Sequence, residues 1–405
     1  MGNNIEKRGP LTGIRILDLA DERASFCSKL LADMGADVIK VEKPGGDPSR
    51  RLGPFLRNSE NPERSLFFYY NNTNKRGITL DLEHRVGRDI FQKLIKSSDV
   101  AVETFPPGYL EKLGLGFGYL HRTNPTLILV SVTNFGQTGP RREYKACDLV
   151  ASGFGGQMYV SGSPSTPPLK PFGEQSCYTA SLFAAIGILL ALRQRARSGK
   201  GEHIDISMQE AVAATLEHVL VRYFYDHVIP QRQGSRHWNS GFCILPCKNG
   251  HMLVSIFQQW ETLVEWLAKE GKAQDLTDEK WKDEEYRLNN VDHVVDVLRR
   301  WTSTHTTAEL FKLGQLMRFP WAPVHSPRDV VNSPQLKARG FFIDVDHPEA
   351  STTVRYPGPP YKQICSLEKR LTRAPSIGEH NIQVYREEIG LSEEELKGLV
   401  SMKVI

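Results

Sequence analysis

The sequence contains few cysteines and has no strongly apolar segment at its start. Six cysteines are scattered through 405 residues, and the opening residues MGNNIEKRGPLTG lack the hydrophobic stretch of a secretory signal. Reduced thiols in a cytoplasmic protein are therefore expected rather than disulfides. Because Cys243 and Cys247 have no second pair of ligands beside them, no metal site is predicted.

A membrane span and a nucleic-acid site are not predicted either. The longest apolar run, Leu182–Leu192, is about half the length that crosses a bilayer, and Arg193 follows it. The net charge of +4 is mild and suits a small anionic ligand better than a nucleic acid. A glycine-rich dinucleotide fingerprint is also missing after the first predicted strand, GIRILDLA.

The sequence is instead rich in alternating strand and helix patterns. The stretches GIRILDLA, DVIKVEKP, GITLDL, VAVETF and LILVSVTNF are typical of buried strands. Between them, helices are predicted at ERASFCSKLLADMGA, at Glu83–Ser98 and at Tyr109–His121, and a later one runs from Ala211 to about His227. Helices of this length between strands indicate parallel βαβ units. The predicted fold class is α/β, with a Rossmann-like parallel sheet in a large domain.

A change of pattern after residue 224 predicts a second, smaller α+β domain. The stretch IPQRQGSRHWNSGFCILPCKNGHMLVSIF reads as antiparallel strands with a hairpin turn at Lys248–Gly250, and amphipathic helices follow it. We expect residues 1–224 to form the N-terminal part of the large domain and residues 225–325 to form the small one. Residues 326–405 would then return to complete the large domain, with a capping box at Ser392 and Glu395.

Several blocks of the sequence, in order, resemble the family III CoA-transferases of the CaiB/BaiF type. The blocks are LADMGADVIKVEKPGGDPSRR, NNTNKRGITLDL, VETFPPGYLEKLGLG, AAIGILLALRQRARSGKGEHIDISMQEA and RAPSIGEHNIQVYREEIGLSEEELKGL. Together they span nearly the whole chain. The resemblance implies two domains, two chains interlocked in a dimer, coenzyme A and acyl-CoA as substrates, and no permanently bound cofactor.

The resemblance also implies a catalytic aspartate, which this chain lacks. The family has that aspartate just before the helix matched by SLFAAIGILLAL, and an alignment without gaps puts Cys177 there. A carboxylate can hold CoA as an activated thioester after passing through an anhydride, whereas a thiolate can only accept the acyl group and free CoA. Cys177 could therefore support acyl transfer or thioester hydrolysis, but not the usual CoA transfer.

The role of position 177 has three alternatives. A helix N-terminus is expected to lower the pKa of Cys177 and favour a nucleophilic thiolate. No base lies close in sequence, however, so the favoured interpretation is a small buried side chain that replaced the aspartate. Glu174, three positions upstream, is the nearest carboxylate and the remaining candidate nucleophile. Racemases of the family resemble this chain less, because they have histidine where Cys147 stands and also use the missing aspartate.

Some members of the family are heteromers of two related chains, of which only one keeps the aspartate. The (R)-benzylsuccinate CoA-transferase of anaerobic toluene breakdown is of this kind. The resemblance thus implies the non-catalytic subunit of a heterodimer or heterotetramer that moves CoA from a donor such as succinyl-CoA to a carboxylic acid. The alternatives are a homomeric acyl-CoA enzyme that uses Cys177 or Glu174, and a non-catalytic CoA-binding protein.

The resemblance also indicates where coenzyme A would bind. The ligand needs cations or backbone donors for its phosphates and an apolar slot for its adenine. The matching positions are Lys43, Leu80, Glu83, Thr104, Phe105, Lys112 and Lys145. The first strand–helix loop, ADERASFCSK, carries Asp21, Glu22 and Arg23 and lacks the Gly-Pro that the family usually has there. This departure and the missing aspartate together predict a degenerate CoA site.

Overall fold

The computed structural model describes residues 9–237, 241–362 and 371–405. The chain divides into two compact units. The first comprises the chain up to Gln157 together with Lys170–Tyr225 and Lys337–Ile405, and the second comprises Met158–Leu169 and Asp226–Leu336. The five cysteines in the described part are free thiols, and Cys365 lies outside it.

A parallel sheet of six strands forms the centre of the first unit. The strands are β1 (Arg15–Leu19), β2 (Asp37–Glu42), β3 (Arg76–Thr79), β4 (Val100–Glu103), β5 (Ile128–Thr133) and β6 (His203–Ser207). Their order across the sheet is β3-β2-β1-β4-β5-β6, and each neighbouring pair is parallel. Most of these strands read as apolar runs because both faces of such a sheet are covered. The predicted α/β fold with a parallel sheet is confirmed.

Helices of the first unit cover both faces of this sheet. In the described part of the chain the α-helices are, in order, α1 (Ser25–Asp33), α2 (Leu66–Asn71), α3 (Arg85–Lys96), α4 (Tyr109–Lys112), α5 (Phe117–Thr123), α6 (Asp148–Phe154), α7 (Gln157–Val160), α8 (Gln175–Ser198), α9 (Met208–Ala214), α10 (His218–Asp226), α11 (Trp260–Lys269), α12 (Glu284–Asn289), α13 (Val291–Thr302), α14 (Thr307–Leu316), α15 (Pro327–Asn332), α16 (Pro334–Ala338) and α17 (Glu393–Ser401). Alternate strand residues face opposite cores: Ile16 packs with α1 and α8, whereas Leu17 packs with α3 and the C-terminal segment.

Two predicted helices are interrupted in the structure. The prediction of one helix over Tyr109–His121 is wrong, because α4 ends at Lys112 and the glycines at 114 and 116 separate it from α5. Gly114 has φ +73°, a conformation that breaks a helix and favours glycine. The helix predicted from Ala211 to His227 is likewise two helices, α9 and α10, with Glu217 at φ 46° before the second.

The second unit contains a small antiparallel sheet and an aromatic core. Its strands are β7 (Phe242–Cys247), β8 (Gly250–Ser255) and β9 (Ala322–Pro323). The predicted hairpin is confirmed, since Cys247 pairs with Gly250 across the turn. In the core, the ring centroids of Trp266 and Trp301 lie 4.7 Å apart. Both indole N–H groups donate to Glu270, at 2.7 and 2.6 Å, so their polar edges are satisfied.

The C-terminal part of the first unit adds a second antiparallel pair and a capped helix. Strands β10 (Phe342–His347) and β11 (Thr352–Pro357) pair with each other. The predicted capping box is confirmed: the Glu395 N–H donates to the Ser392 side chain at 3.2 Å, and the Ser392 N–H donates to the Glu395 carboxylate at 2.7 Å.

Among the described helices, α8 alone is long and apolar enough to cross a membrane by length and composition. It has 24 residues, and its most apolar window has a mean hydropathy of 1.6. Within the fold, 44% of that window is buried, with α8 packed against α1, α6, α9 and strands β5 and β6. A core helix of a globular fold satisfies the same criterion, so composition alone does not make α8 a membrane span.

A network of buried charges supports the ends of the first strands. Lys75 donates to Asp18 at 2.8 Å, and both side chains are fully buried. Lys40, also fully buried, donates to Asp47 at 3.0 Å and to the Ala20 carbonyl. Buried charges are tolerated only when they are paired and hydrogen-bonded. The network therefore fixes the segments after β1 and β2 relative to the sheet.

Arg50 extends this network to the C-terminal segment. Its guanidinium binds Glu42 through two hydrogen bonds, of 2.6 and 2.8 Å, and donates to the Pro375 carbonyl at 2.8 Å. The group also lies 3.7 Å from the centroid of the Phe68 ring. Arg50 and Glu42 are 1% and 2% exposed, so neither charge can be satisfied by water if the other is removed.

We predict that Arg50→Met destabilises the first unit by about 3–5 kcal/mol, because it removes the cation that forms two hydrogen bonds with the buried Glu42 carboxylate. The measurement is the midpoint of urea unfolding, followed by circular dichroism. Arg355→Met is the matched control, since Arg355 forms a comparable two-bond pair with Asp344 that is exposed to solvent. Equal effects of the two substitutions would contradict the structural role of the buried network.

Candidate active site and ligand cavity

A cavity of about 380 Å³ lies at the carboxyl ends of β1, β2, β3 and β4. Ligands of open parallel sheets bind at this edge, next to the point where the strand order reverses. Here the order reverses between β1 and β4. The lining residues follow the four strand ends: Leu19, Asp21, Arg23, Val41, Glu42, Lys43, Gly46, Asp47, Pro48, Leu80, Leu82, Glu83, Thr104, Phe105, Pro106 and Tyr109.

The two cations that line the cavity are each paired with a carboxylate. Arg23 binds Asp21 through hydrogen bonds of 2.9 and 2.5 Å. Burial alone would raise the pKa of Asp21, but the hydrogen bonds and charge of Arg23 hold that pKa below its ordinary value. Lys43 lies at the rim and donates to Glu83 at 2.8 Å. A phosphate that binds here must therefore compete with Asp21 or Glu83 for its cation.

Five of the seven predicted CoA-binding residues line this cavity, namely Lys43, Leu80, Glu83, Thr104 and Phe105. They come from three separate segments, which follow β2, β3 and β4 and which the parallel sheet brings to one edge. Lys112 and Lys145 are not among the lining residues, and both are exposed. The assignment of all seven positions to CoA binding stays a prediction.

Cys177 lies in the first turn of α8, beside the buried carboxylate of Asp148. The N–H groups of Ser176 and Cys177 donate to Asp148 Oδ1 at 2.7 and 3.1 Å. Asp148 thus satisfies backbone donors that would otherwise be free at this helix end. Asp148 and Cys177 are 29 positions apart in sequence, and Cys177 is 3% exposed.

The expected depression of the Cys177 pKa is wrong. Burial raises the pKa of this thiol well above its ordinary value, and the charges of Asp148, Glu174, Glu22 and Asp21 raise it further. The helix N-terminus does favour an anion, but Asp148 already provides one there. Few thiolates exist at neutral pH under these conditions, which argues against Cys177 as a nucleophile.

Glu174 is the more accessible carboxylate beside Cys177. It is the N-cap residue of α8, and it is half-buried. A carboxylate oxygen of Asp148, a carboxylate oxygen of Glu174 and the sulfur of Cys177 all lie within 4.8 Å of one another. Burial raises the pKa of Glu174, the charge of Asp148 raises it further, and Lys170 opposes both. The assignment of Glu174 as a substitute nucleophile stays a prediction, since neither Glu174 nor Cys177 lines the cavity described above.

Sequence reasoning missed two groups that shape the site. Asp148 is one of them, because nothing in the sequence pattern joins it to a helix terminus 29 residues later. Glu103 is the other; it lies inside the predicted strand VAVETF and ends the observed strand β4. A charged side chain that ends an apolar strand is a usable signal, because it must find partners in the fold.

An open α/β sheet with a ligand-sized cavity at its carboxyl edge is typical of proteins that bind nucleotide-like ligands. The comparisons with known proteins make the class specific. The model of CoA-transferase family III matches residues 11–381. The chain therefore belongs to CoA-transferase family III.

Two characterised relatives are similar over nearly their whole length. The BbsE subunit of succinyl-CoA:(R)-benzylsuccinate CoA-transferase from Thauera aromatica is 36% identical over 380 residues, which cover 91% of this chain and 92% of the relative. The beta subunit of succinyl-CoA–L-malate CoA-transferase from Chloroflexus aurantiacus is 34% identical, with 98% of each chain covered.

Solved structures agree with the family. A CaiB/BaiF family protein from Brucella suis is 30% identical and has a TM-score of 0.85, with 94% of this chain and 99% of that chain covered. Rv3272 from Mycobacterium tuberculosis, at 24% identity and a TM-score of 0.77, shares the fold, with 92% of this chain and 98% of that chain covered.

We predict that Cys177 resists alkylation in the folded protein. Iodoacetamide at pH 7.5 should label Cys147, which is exposed, at least about tenfold faster than Cys177, because each unit of raised pKa lowers the thiolate fraction about tenfold. Peptide mass spectrometry measures both rates. In urea the two cysteines should react alike, and equal labelling in the folded protein would contradict the buried, protonated thiol.

Proposed function

We propose that this chain is the non-catalytic subunit of a heteromeric family III CoA-transferase. The complex would move CoA between an acyl-CoA, such as succinyl-CoA, and a carboxylic acid. The observation that carries the proposal is the group at position 177, a buried thiol among acidic side chains where the family resemblance implies a carboxylate.

The chemistry of CoA transfer explains why a thiol cannot serve there. A carboxylate attacks the donor thioester to form an anhydride and release CoA thiolate. The thiolate then attacks the enzyme carbonyl, which frees the donor acid and leaves CoA as an enzyme thioester. A cysteine that attacks the same thioester keeps the acyl group and loses CoA. In the proposed complex, the reactive carboxylate therefore comes from the second chain.

Exposed apolar side chains in the first unit support a partner chain. On α8, Leu182, Ile186 and Leu190 are 47%, 54% and 62% exposed. On α10, Phe224 and Tyr225 are 72% and 82% exposed. Apolar side chains grouped in this way usually mark an interface. We propose that the related, aspartate-containing subunit covers them in an interlocked heterodimer or heterotetramer.

Two similar proteins guide the choice of acceptor. BbsE is named as a subunit of an enzyme that acts on (R)-benzylsuccinate, and the Chloroflexus relative is named for L-malate. We propose (R)-benzylsuccinate as the first acceptor to assay, which would place the protein in anaerobic aromatic degradation in the cytoplasm. Coenzyme A enters and leaves as part of the substrates, and no permanent cofactor is proposed.

We predict that the chain, tagged in its own host and purified gently, brings down a second chain of similar size in equal amount. Native mass spectrometry of the intact complex measures the masses and the stoichiometry. The second chain should carry the aspartate that this one lacks. A pure homo-oligomer that transfers CoA would overturn the proposed subunit role.

Substitutions then separate the proposed role from a reaction centred on this chain. Cys177→Ala and Glu174→Gln should each leave kcat of the complex within about twofold, because neither side chain would carry CoA. Loss of an enzyme nucleophile costs orders of magnitude in kcat. A loss of a hundredfold or more in Glu174→Gln, with Cys177→Ala unaffected, would identify Glu174 as the nucleophile of a homomeric enzyme.

A further inference from the structure

Glu103 is a buried acid directly beneath the wall of the cavity. It ends β4, it is 3% exposed, and it does not line the cavity itself. Its carboxylate accepts a hydrogen bond of 2.6 Å from the N–H of Phe105, two residues on. Phe105 and the intervening Thr104 both line the cavity. The hold of Glu103 on this backbone therefore sets the shape of one wall.

The same turn is joined to the charged loop on the other side of the cavity. The N–H of Asp21 donates to Thr104 Oγ1 at 3.0 Å. Asp21 in turn holds Arg23, one of the two cations that line the cavity. A change in the position of Thr104 would therefore also move Asp21 and, through it, Arg23.

Two polar side chains lie on the strands beside Glu103. Ser131 is opposite Glu103 on the neighbouring strand β5, and its side chain helps to lower the pKa of Glu103. The Ser131 hydroxyl lies 2.9 Å from Nε2 of His203, the exposed first residue of β6. The His203 ring stacks on Phe117 at 5.3 Å between centroids, which holds the imidazole in place.

We propose that Glu103 is a positioning residue whose carboxylate holds the Thr104–Phe105 wall of the cavity, and that protonation of this carboxylate loosens that hold. This role of Glu103 rests on the proposed function in one respect, which is that CoA is taken as the ligand of the cavity. It assigns no chemistry to Glu103, because the residue touches neither the ligand space nor position 177.

Ionisation of Glu103 releases its proton to solvent and needs no other reactant. The ionised carboxylate then accepts the hydrogen bond from the Phe105 N–H, and hydrogen bonds to an ionised acceptor are about twice as strong as neutral ones.

The charges around Glu103 place this change near neutral pH. Burial raises the pKa of Glu103, whereas the side chain of Ser131, the hydrogen bond from the Phe105 N–H and the charge of Arg23 lower it. The charge of Glu111 on α4 raises it, and the resulting pKa is about 7. On the strand β6, burial lowers the pKa of His203, opposed by Asp205 and Glu111. Glu103 is therefore mostly protonated below pH 7 and mostly ionised above it.

The test measures hydrogen exchange at the Phe105 amide between pH 6 and pH 8, corrected for the intrinsic rate. In the native complex, protection should rise about fivefold across this range, as a neutral hydrogen bond becomes a charge-assisted one. Glu103→Gln should remove the pH dependence and keep the low-pH protection throughout. A Glu103→Gln profile that still follows the native one would overturn the proposal.

Two further substitutions move the midpoint in opposite directions. Ser131→Ala removes a hydroxyl that lowers the pKa of Glu103, so the midpoint should shift to higher pH. Glu111→Gln removes a like charge from an exposed position, so the midpoint should shift to lower pH, and this variant tests the idea even where Glu103→Gln fails to fold. An unmoved midpoint in Glu111→Gln would contradict the proposal.

Calorimetric titration with CoA over the same pH range separates this proposal from the proposed function. If both hold, CoA should bind more tightly at pH 8 than at pH 6, and Glu103→Gln should bind equally at both. If CoA binds at no pH while the exchange profile behaves as described, the cavity takes another ligand and Glu103 still positions its wall.

Discussion

The first unit depends on satisfying charges that its own sheet buries. Lys40 stands in the middle of β2 with no solvent exposure, and Glu42 ends the same strand at 2%. Neither can remain ionised there without a partner, so Asp47 and Arg50 must come back from the following turn. Glu42 and Asp47 are also walls of the cavity. The ion pairs that neutralise the buried charges of β2 thus also shape the cavity.

The same requirement operates at the start of α8. Its first N–H groups need an acceptor, and Asp148 supplies one carboxylate oxygen to two of them. That anion occupies the region where a helix end would otherwise stabilise a thiolate. Asp148 therefore satisfies the start of the helix. Burial raises the pKa of the adjacent Cys177 thiol, and the charge of Asp148 raises it further.

Much of the fold could be predicted because the sequence patterns that indicate its strands and helix ends each lie within a few consecutive residues. The apolar runs such as Val100–Glu103 correctly indicated buried parallel strands, and the capping box at Ser392 needs only four residues to be recognised. The helix break at Gly114 was missed because the apolar spacing continues across it. The pairing of Asp148 with the α8 terminus could not be predicted, since it joins residues that only the tertiary fold brings together.

The site divides into two parts with separate supports. The cavity is built from the ends of β1 to β4, whereas position 177 depends on α8 and Asp148. Because Asp148 rather than residue 177 satisfies the helix end, the side chain at 177 is free to change without loss of the helix. The side chain at 177 can therefore change while the fold and the cavity persist. This separation is the physical basis of the proposed subunit role.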